Sequence, residues 1–115
     1  MTSPSGIFKC LADETRLRTL LLILSEGELC VCEIAVALDL SQPKVSRHLA
    51  QLRNCDLLLH SRHGQWIYYQ LHPDLNSWVR EVLNTTVAAC SAQFDDDQQR
   101  LLQMGDRPER QASCC

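Results

Sequence analysis

Apolar residues recur at helical spacing through the N-terminal part of the chain. Ile7, Phe8 and Leu11 form a short apolar stripe that predicts a first helix. A longer helix is predicted to start after Asp13, a favourable N-cap, and Gly27 is placed to end it. The buried face of this second helix is predicted to consist of Leu17, Leu20, Leu21 and Leu24.

Two further short helices are predicted around a polar turn. The first covers residues 32–39, with Ile34, Ala35 and Leu38 on one side. Ser41 can cap the second helix, and Pro43 fits its first turn, where a missing N–H is no loss. Val45, Leu49 and Leu52 then form the inward stripe of that second helix.

A polar and basic stripe lies beside the inward stripe on the same helix. Helices joined by a short polar turn, with the second one basic outside, are typical of a DNA-binding helix-turn-helix. A helical hairpin with an ordinary solvated face is the alternative. The predicted DNA-binding residues on this helix are Gln42, Lys44, Ser46, Arg47, His48 and Gln51.

After this helix the pattern changes to that of a β-hairpin. Residues 57–61 and 66–71 are rich in apolar and β-forming residues, and Gly64 lies in the polar turn between them. A helix-turn-helix followed by such a hairpin is a winged helix. Arg62 and His63 are placed at the tip, where they could reach the DNA backbone or a minor groove.

A last long helix is predicted to open at Pro73, with Asp74 in its first turn. Its broad apolar stripe suits dimerisation, although packing into the core would give the same pattern. The stripe consists of Leu75, Trp78, Val79, Val82, Leu83, Thr86 and Cys90. The predicted organisation is a winged-helix domain over residues 1–92, dimerising through its first and last helices. A polar, flexible tail is expected over residues 93–115.

The distribution of charge along the chain suits a nucleic-acid partner better than the net charge does. The chain of 115 residues has a formal net charge of −3. Residues 41–72, however, contain four Lys or Arg against Asp56 alone, a local charge of +3. A local basic face matters more for contact with phosphate groups than the net charge of the whole chain.

The composition also limits location and chemistry. No apolar run is long enough for a membrane span, and the N-terminus lacks a signal-peptide pattern, so a cytoplasmic protein is expected. No nucleophile–base pair, phosphate loop or paired carboxylate site is visible, and an enzyme is not expected.

Seven cysteines are many for this length. In a reducing cytosol, structural disulfides are not expected, which leaves buried thiols, soft-metal ligands or redox sensors. Cys30 and Cys32, at the start of the third helix, are the candidate metal ligands. Residues two apart on a regular helix point about 200° apart, so one of the two must lie outside regular helix or the first turn must unwind.

These features together resemble the ArsR/SmtB family of metal-responsive repressors, in its arsenic-responsive branch. The resemblance covers about residues 5–90. Its specific parts are the segments 28–33 (ELCVCE) and 41–49 (SQPKVSRHL), followed by the hairpin that ends at 66–69 (WIYY).

The resemblance implies a homodimeric repressor that binds an imperfect inverted repeat and releases it when As(III) or Sb(III) binds the thiols. No other cofactor is implied. Relatives often carry a third cysteine where this chain has Ala35, so the third ligand stays open among Cys10, Cys55, Cys114 and Cys115, a small thiol or hydroxide. The zinc site of other relatives is not expected, because no histidine follows His72. A repressor of the same fold that responds to thiol oxidation or to soft divalent metals is the alternative.

Overall fold

The computed structural model describes residues 2–107 and 110, which form five helices and a small sheet. The elements in chain order are α1 (Pro4–Leu11), α2 (Glu14–Glu26), β1 (Glu28–Cys30), α3 (Val31–Leu38), α4 (Gln42–Asn54), β2 (Leu58–His63), β3 (Trp66–Leu71) and α5 (Ser77–Gln103).

The predicted caps set the ends of the central helices. The Arg16 N–H donates to the Asp13 carboxylate at 3.0 Å at the start of α2, and the Lys44 N–H donates to the Ser41 hydroxyl at 3.4 Å at the start of α4. Gly27 ends α2 with a φ of 92°, a conformation that side chains disfavour. The helix boundaries predicted from these caps are therefore confirmed.

Helices α3 and α4 form the helix-turn-helix. The chain reverses through Asp39, whose φ is 57°, and Leu40 donates its N–H to the Ala35 carbonyl at 3.0 Å. The predicted inward stripe of α4 is confirmed, since Val45, Leu49 and Leu52 are completely or almost completely buried. The opposite face of α4 is held outwards by this packing.

The hairpin β2–β3 is present, and its strands pair with His63 opposite Trp66 across a turn at Gly64. A third strand, β1, was not predicted. It pairs with β3 in antiparallel register, with Cys30 opposite Tyr68, and gives the sheet order β1–β3–β2. The fold is therefore a winged helix whose wing is joined directly to the strand before α3.

The last helix begins later than predicted. Pro73 and Asp74 lie in a turn in which the Asp74 N–H donates to His72 Nδ1 at 3.1 Å, and α5 starts only at Ser77. Within α5, Cys90 has a non-helical φ of −125° and marks a kink. None of the described helices, α5 included, combines the length and the apolar character needed to cross a membrane.

The flexible tail expected from residue 93 must be corrected as far as residue 107. Helix α5 continues to Gln103, and Leu101 is buried in the main core. Asp97 is also buried and accepts hydrogen bonds from Arg18 at 2.7 and 2.9 Å, while Arg100 donates to the Ala37 carbonyl at 2.7 Å. These contacts pack the second half of α5 against α2 and α3. The remaining tail residues, 108, 109 and 111–115, lie outside the described part of the chain.

Replacing Asp97 with alanine is expected to lower the free energy of unfolding by about 2 kcal/mol, because it removes the only carboxylate paired with the half-buried Arg18 among the described residues. The same change should make residues 91–103 more sensitive to protease. Urea denaturation and limited proteolysis would measure both effects. Asp96→Ala is the matched control, since Asp96 is exposed, and it should cost less than about 0.5 kcal/mol. Equal effects of the two changes would contradict a buried Arg18–Asp97 pair.

Candidate nucleic-acid interface and thiol site

The N-terminal half of α4 presents an open polar face. Gln42, Ser46 and Arg47 are exposed, and Lys44 is half-buried. Arg47 makes no ion pair with any residue that the structure describes. Four of the six predicted DNA-binding residues on this helix are thus grouped at the end that approaches the wing.

The other two residues predicted on α4, His48 and Gln51, face the helices before it. His48 Nδ1 is buried, lies 3.8 Å from the Asp13 carboxylate and has no hydrogen-bond partner among the described residues. The Gln51 side chain accepts a hydrogen bond from Arg16 at 2.7 Å. Both therefore have contacts within the fold that the sequence pattern did not reveal.

The tip of the wing carries the two remaining predicted residues. Arg62 and His63 are exposed and lie at the end of β2. The Arg62 guanidinium donates to the Gly64 carbonyl at 3.0 Å, and the His63 ring lies edge-on to Tyr68, with 5.4 Å between ring centroids. His63 Nε2 also lies 3.1 Å from the Ser61 hydroxyl, so both side chains make contacts within the hairpin while remaining exposed.

The two candidate thiols stand where strand becomes helix. Cys30 is the last residue of β1 and the N-cap of α3, with an extended backbone, whereas Cys32 lies in the first turn of α3. One thiol therefore lies outside regular helix, as the spacing requires. Both are buried, in a small cluster with Tyr68 that is separate from the main core. Cys32 is disulfide-bonded in the structure.

A buried carboxylate lies directly beside the thiols. Glu33 is completely buried and accepts the Cys30 N–H at 2.9 Å. Its two oxygens also accept hydrogen bonds from Arg107 at 2.8 Å and Arg110 at 3.1 Å. The Arg107 guanidinium in turn lies over the Tyr68 ring, 4.5 Å from its centroid. The residues that follow α5 thus fold back onto the start of α3.

This environment shifts two pKa values in opposite directions. Burial by itself would raise the pKa of Glu33, but the hydrogen bonds from Arg107 and from the Cys30 N–H, with those from Arg110, outweigh it, and the net pKa is lowered. Burial raises the pKa of the Cys30 thiol, and the charge of the Glu33 carboxylate adds to that rise. The site therefore combines an ionised carboxylate with a protonated thiol at neutral pH.

A cavity of about 320 Å³ lies between the thiols, the recognition helix and the hairpin. Its walls are Cys30, Val31 and Cys32 from the start of α3, Gln42 and Ser46 from α4, and Gln65, Trp66, Ile67 and Tyr69 from the hairpin. A group bound to the sulfurs would therefore contact the recognition helix and the wing together.

Among the residues that the structure describes, Cys30 and Cys32 are the cysteines that line this cavity. Cys10 and Cys55, two of the candidate third ligands, are joined to each other in a disulfide on the far side of α4. Among the described residues, no group of three potential ligands is arranged to hold a metal ion. The other two candidates, Cys114 and Cys115, lie outside the described residues.

Three residues of the site were missed by the sequence patterns. Glu33 reads as an ordinary acidic residue in a first helical turn, and Arg107 and Arg110 as parts of a polar tail. A weak signal was present, because a charged residue within the apolar run 29–38 must find a partner if it is buried. The apolar run does not indicate that these partners are Arg107 and Arg110, which lie more than 70 positions further along the chain.

The three-stranded wing, the helix-turn-helix and its open basic face define a winged-helix transcriptional regulator. A family model described as "Bacterial regulatory protein, arsR family" matches residues 13–58. The chain is 55% identical to the arsenic resistance transcriptional regulator ArsR2 of Pseudomonas putida over the full length of both proteins. It therefore belongs to the ArsR family of bacterial regulatory proteins.

Two further relatives agree with this assignment. The chain is 51% identical to the arsenical resistance operon repressor of Escherichia coli over 81 residues, which cover 70% of this chain and 69% of the relative. It also resembles the solved structure of the AntR antimony-specific transcriptional repressor, with a TM-score of 0.62 and 30% identity over 75% of each chain. These proteins are transcriptional regulators rather than enzymes, which confirms that prediction.

Proposed function

We propose that this protein is a cytoplasmic, homodimeric repressor that binds an operator and releases it when As(III) or Sb(III) binds Cys30 and Cys32. The observation that carries the proposal is the cavity that has the thiols in one wall and the recognition helix and wing in the others. The names of the relatives, which refer to arsenic and antimony, support the choice of inducer.

The chemistry suits a buried, protonated thiol such as Cys30. Arsenite reaches the site as the neutral hydroxide As(OH)₃, and each thiol that bonds to arsenic loses its proton to a departing hydroxide, so that one water leaves per bond. No net charge enters the site, whereas a divalent cation would require thiolates. Soft thiol ligands also suit the soft As(III) centre. Cys32 must be reduced first, so the dithiol is the form that binds inducer. The third ligand is Cys114, Cys115, a small thiol or the hydroxide that remains.

Coupling to DNA follows from where the two sulfurs are attached. Cys30 belongs to β1, which pairs with β3 of the wing, and Cys32 belongs to α3, which leads directly into α4. Bringing both sulfurs onto one arsenic atom turns the first turn of α3, and the bound group pushes against Gln42 and Ser46. A coupling free energy of about 3 kcal/mol would weaken operator binding roughly 150-fold, which is enough for derepression.

The operator contacts are assigned to the open end of α4 and to the wing. Gln42, Lys44, Ser46 and Arg47 would enter the major groove, and Arg62 and His63 would contact the backbone or the minor groove. For the predicted residues His48 and Gln51, we propose support of α4 from behind, because they contact Asp13 and Arg16.

The proposed dimer forms through α1 and α5. Phe8 of α1 stacks against Trp78 of α5, with 5.6 Å between the ring centroids. Phe8 is exposed, Trp78 is half-buried against the core, and this aromatic pair shared by the two helices suits an apolar interface with a second copy of the chain. Twofold symmetry then implies an operator that is an imperfect inverted repeat.

The test is operator binding, followed by fluorescence anisotropy in the presence and absence of arsenite, with the protein fully reduced. We expect the wild-type chain to lose about 100-fold in affinity on adding arsenite, within the usual range for such coupling. Cys30→Ser and Cys32→Ser should bind the operator normally and fail to release it. Cys90→Ser is the matched control, because Cys90 is a free thiol on α5 away from the cavity, and it should behave as the wild type.

Three outcomes would contradict the proposal in different ways. Release of the serine variants by arsenite would remove the assigned thiols from the mechanism. Release by peroxide but not by arsenite would favour a redox-responsive repressor. Release by cadmium but not by arsenite or antimonite would favour a soft-divalent-metal repressor of the same fold.

A further inference from the structure

Two cysteines far apart in the sequence meet behind the recognition helix. Cys10 lies near the end of α1, and Cys55 is the C-cap of α4. Their sulfurs are bonded across a sequence separation of 45, with 6.9 Å between the Cα atoms, at the upper end of the range that a disulfide spans. Neither residue takes part in the inducer site proposed above.

The fold holds these two cysteines together independently of the bond between them. Arg16 donates from Nε to the Cys10 carbonyl at 2.8 Å and from a terminal nitrogen to the Gln51 side chain at 2.7 Å. The same guanidinium therefore ties the last turn of α1 to the last turns of α4. With the disulfide reduced, the two thiols would remain neighbours.

Cys10 is buried and Cys55 is half-buried, and cations and carboxylates both lie near the pair, with Asp56 and Asp74 in a cavity on one side of Cys55. A cavity of about 320 Å³ opens beside the pair, lined by Gly6, Lys9, Cys10, Arg16, Gln51, Asn54 and Cys55. This lining contains two cations and no carboxylate. Both cysteines stand at helix C-termini, which disfavour an anion, whereas the nearby cations Lys9 and Arg16 favour one. Cys55 is the more exposed of the two and also borders a second cavity.

We propose that Cys10 and Cys55 are a redox modification site, which hydroperoxides convert to a disulfide and cellular dithiols reduce again. This site goes beyond the proposed inducer response and does not depend on it. The Cys55 thiolate attacks one oxygen of hydrogen peroxide and takes it as a sulfenic acid, and the other oxygen leaves as water after protonation. The Cys10 thiol then attacks that sulfur, the S–S bond forms and the second oxygen leaves as water. Two thiols and one peroxide give one disulfide and two waters.

The consequence is a covalent tie between α1 and the end of the recognition helix. Helix α4 keeps its full length to Asn54 with the disulfide present, and the Cys55 N–H still bonds to the Gln51 carbonyl at 3.1 Å. The oxidised protein is therefore expected to keep its DNA-binding geometry. Because the bond closes a loop of 45 residues, oxidation should raise the melting temperature by on the order of 10 °C.

The experiment uses the full chain with the other five cysteines replaced by serine, so that Cys10 and Cys55 alone remain of the seven. After one equivalent of hydrogen peroxide, we expect both free thiols to be lost within a single chain, and peptide mapping to show the Cys10–Cys55 link. The closing step, from the Cys55 sulfenic acid to the disulfide, should be at least about tenfold faster in the folded chain than in urea, because the fold holds the two sulfurs together.

Two controls accompany this experiment. In the same background, Cys10→Ser should yield oxidised Cys55 or cross-linked pairs of chains and no rise in melting temperature. Differential alkylation and peptide mapping of the wild-type chain cover the case that the multiple variant folds poorly. A pair that stays reduced at stoichiometric peroxide, or whose closing step is no faster in the folded chain than in urea, would overturn the proposal.

Discussion

Glu33→Gln is expected to lower the free energy of unfolding by about 3 kcal/mol, because it removes the negative charge that two arginines share in a buried position. Glu33 is completely buried, so its partners Arg107 and Arg110 would lose an ion pair that water cannot replace from that side. Urea denaturation at pH 7 measures the change. In a domain of this size it corresponds to a fall in melting temperature on the order of 10 °C.

The difference in stability between the wild type and Glu33→Gln should also depend on pH. The folded-state pKa of Glu33 is lowered, so its contribution to stability is present above the ordinary glutamate pKa of about 4.3 and is lost as the pH falls below that value. The difference between wild type and Glu33→Gln should therefore be full at pH 7 and shrink below pH 4. A difference that stayed constant over this range would contradict the ion-pair explanation.

Glu28 provides the matched control for this prediction. Its carboxylate lies 3.6 Å from the Arg107 guanidinium, but the side chain is 41% exposed, and ion pairs open to solvent contribute little. Glu28→Gln should therefore cost less than about 1 kcal/mol. Equal losses at the two positions would mean that the negative charge near Arg107, rather than the buried pairing, sets the stability.

The parts of this fold that follow from local pattern were open to prediction from the sequence. The cap at Ser41 and the apolar stripe from Val45 to Leu52 predict α4. The hairpin follows from two segments rich in apolar and β-forming residues on either side of Gly64. Each of these features depends on neighbours within one or two turns of chain. The same local reasoning placed Cys30 and Cys32 at the start of α3.

The features of the fold that the sequence did not predict depend on contacts between residues far apart in the chain. Strand β1 has three residues and exists only because β3, about 40 residues later, offers it an edge. The packing of residues 93–107 rests on pairs such as Arg18 with Asp97, whose separation of 79 positions leaves no periodic trace. Glu33 is of the same kind, since only the fold shows which arginines reach it.

The candidate site combines features that depend on local sequence with features that depend on distant contacts. The thiols were found by their residue type and spacing, whereas the carboxylate that sets their electrostatic surroundings was not. The cavity that joins the thiols to the recognition helix and the wing is likewise a product of tertiary packing. Local pattern thus indicated the candidate ligands, and the tertiary packing supports the proposed route from these ligands to the proposed DNA-contacting surface.

Arg47→Ala is expected to weaken operator binding by about 100- to 1,000-fold. A well-placed arginine–base contact contributes about 1–3 kcal/mol, and a homodimer would lose two of them. Arg47 is exposed and forms no ion pair with the described residues, so the substitution should leave the melting temperature within about 2 °C of the wild type. Fluorescence anisotropy with operator and with unrelated DNA measures the loss and its specificity.

Arg53→Ala is the control of the same chemistry on the same helix. Arg53 is exposed in the last turn of α4, away from the cavity and the wing, and its loss should change operator affinity less than about threefold. Lys44→Ala should act mainly on the salt dependence and reduce the slope of log K against log salt by about 1 for each phosphate that the side chain neutralises. If Arg47→Ala and Arg53→Ala weakened binding equally, affinity would follow overall charge, and the assignment of the N-terminal half of α4 to base recognition would fail.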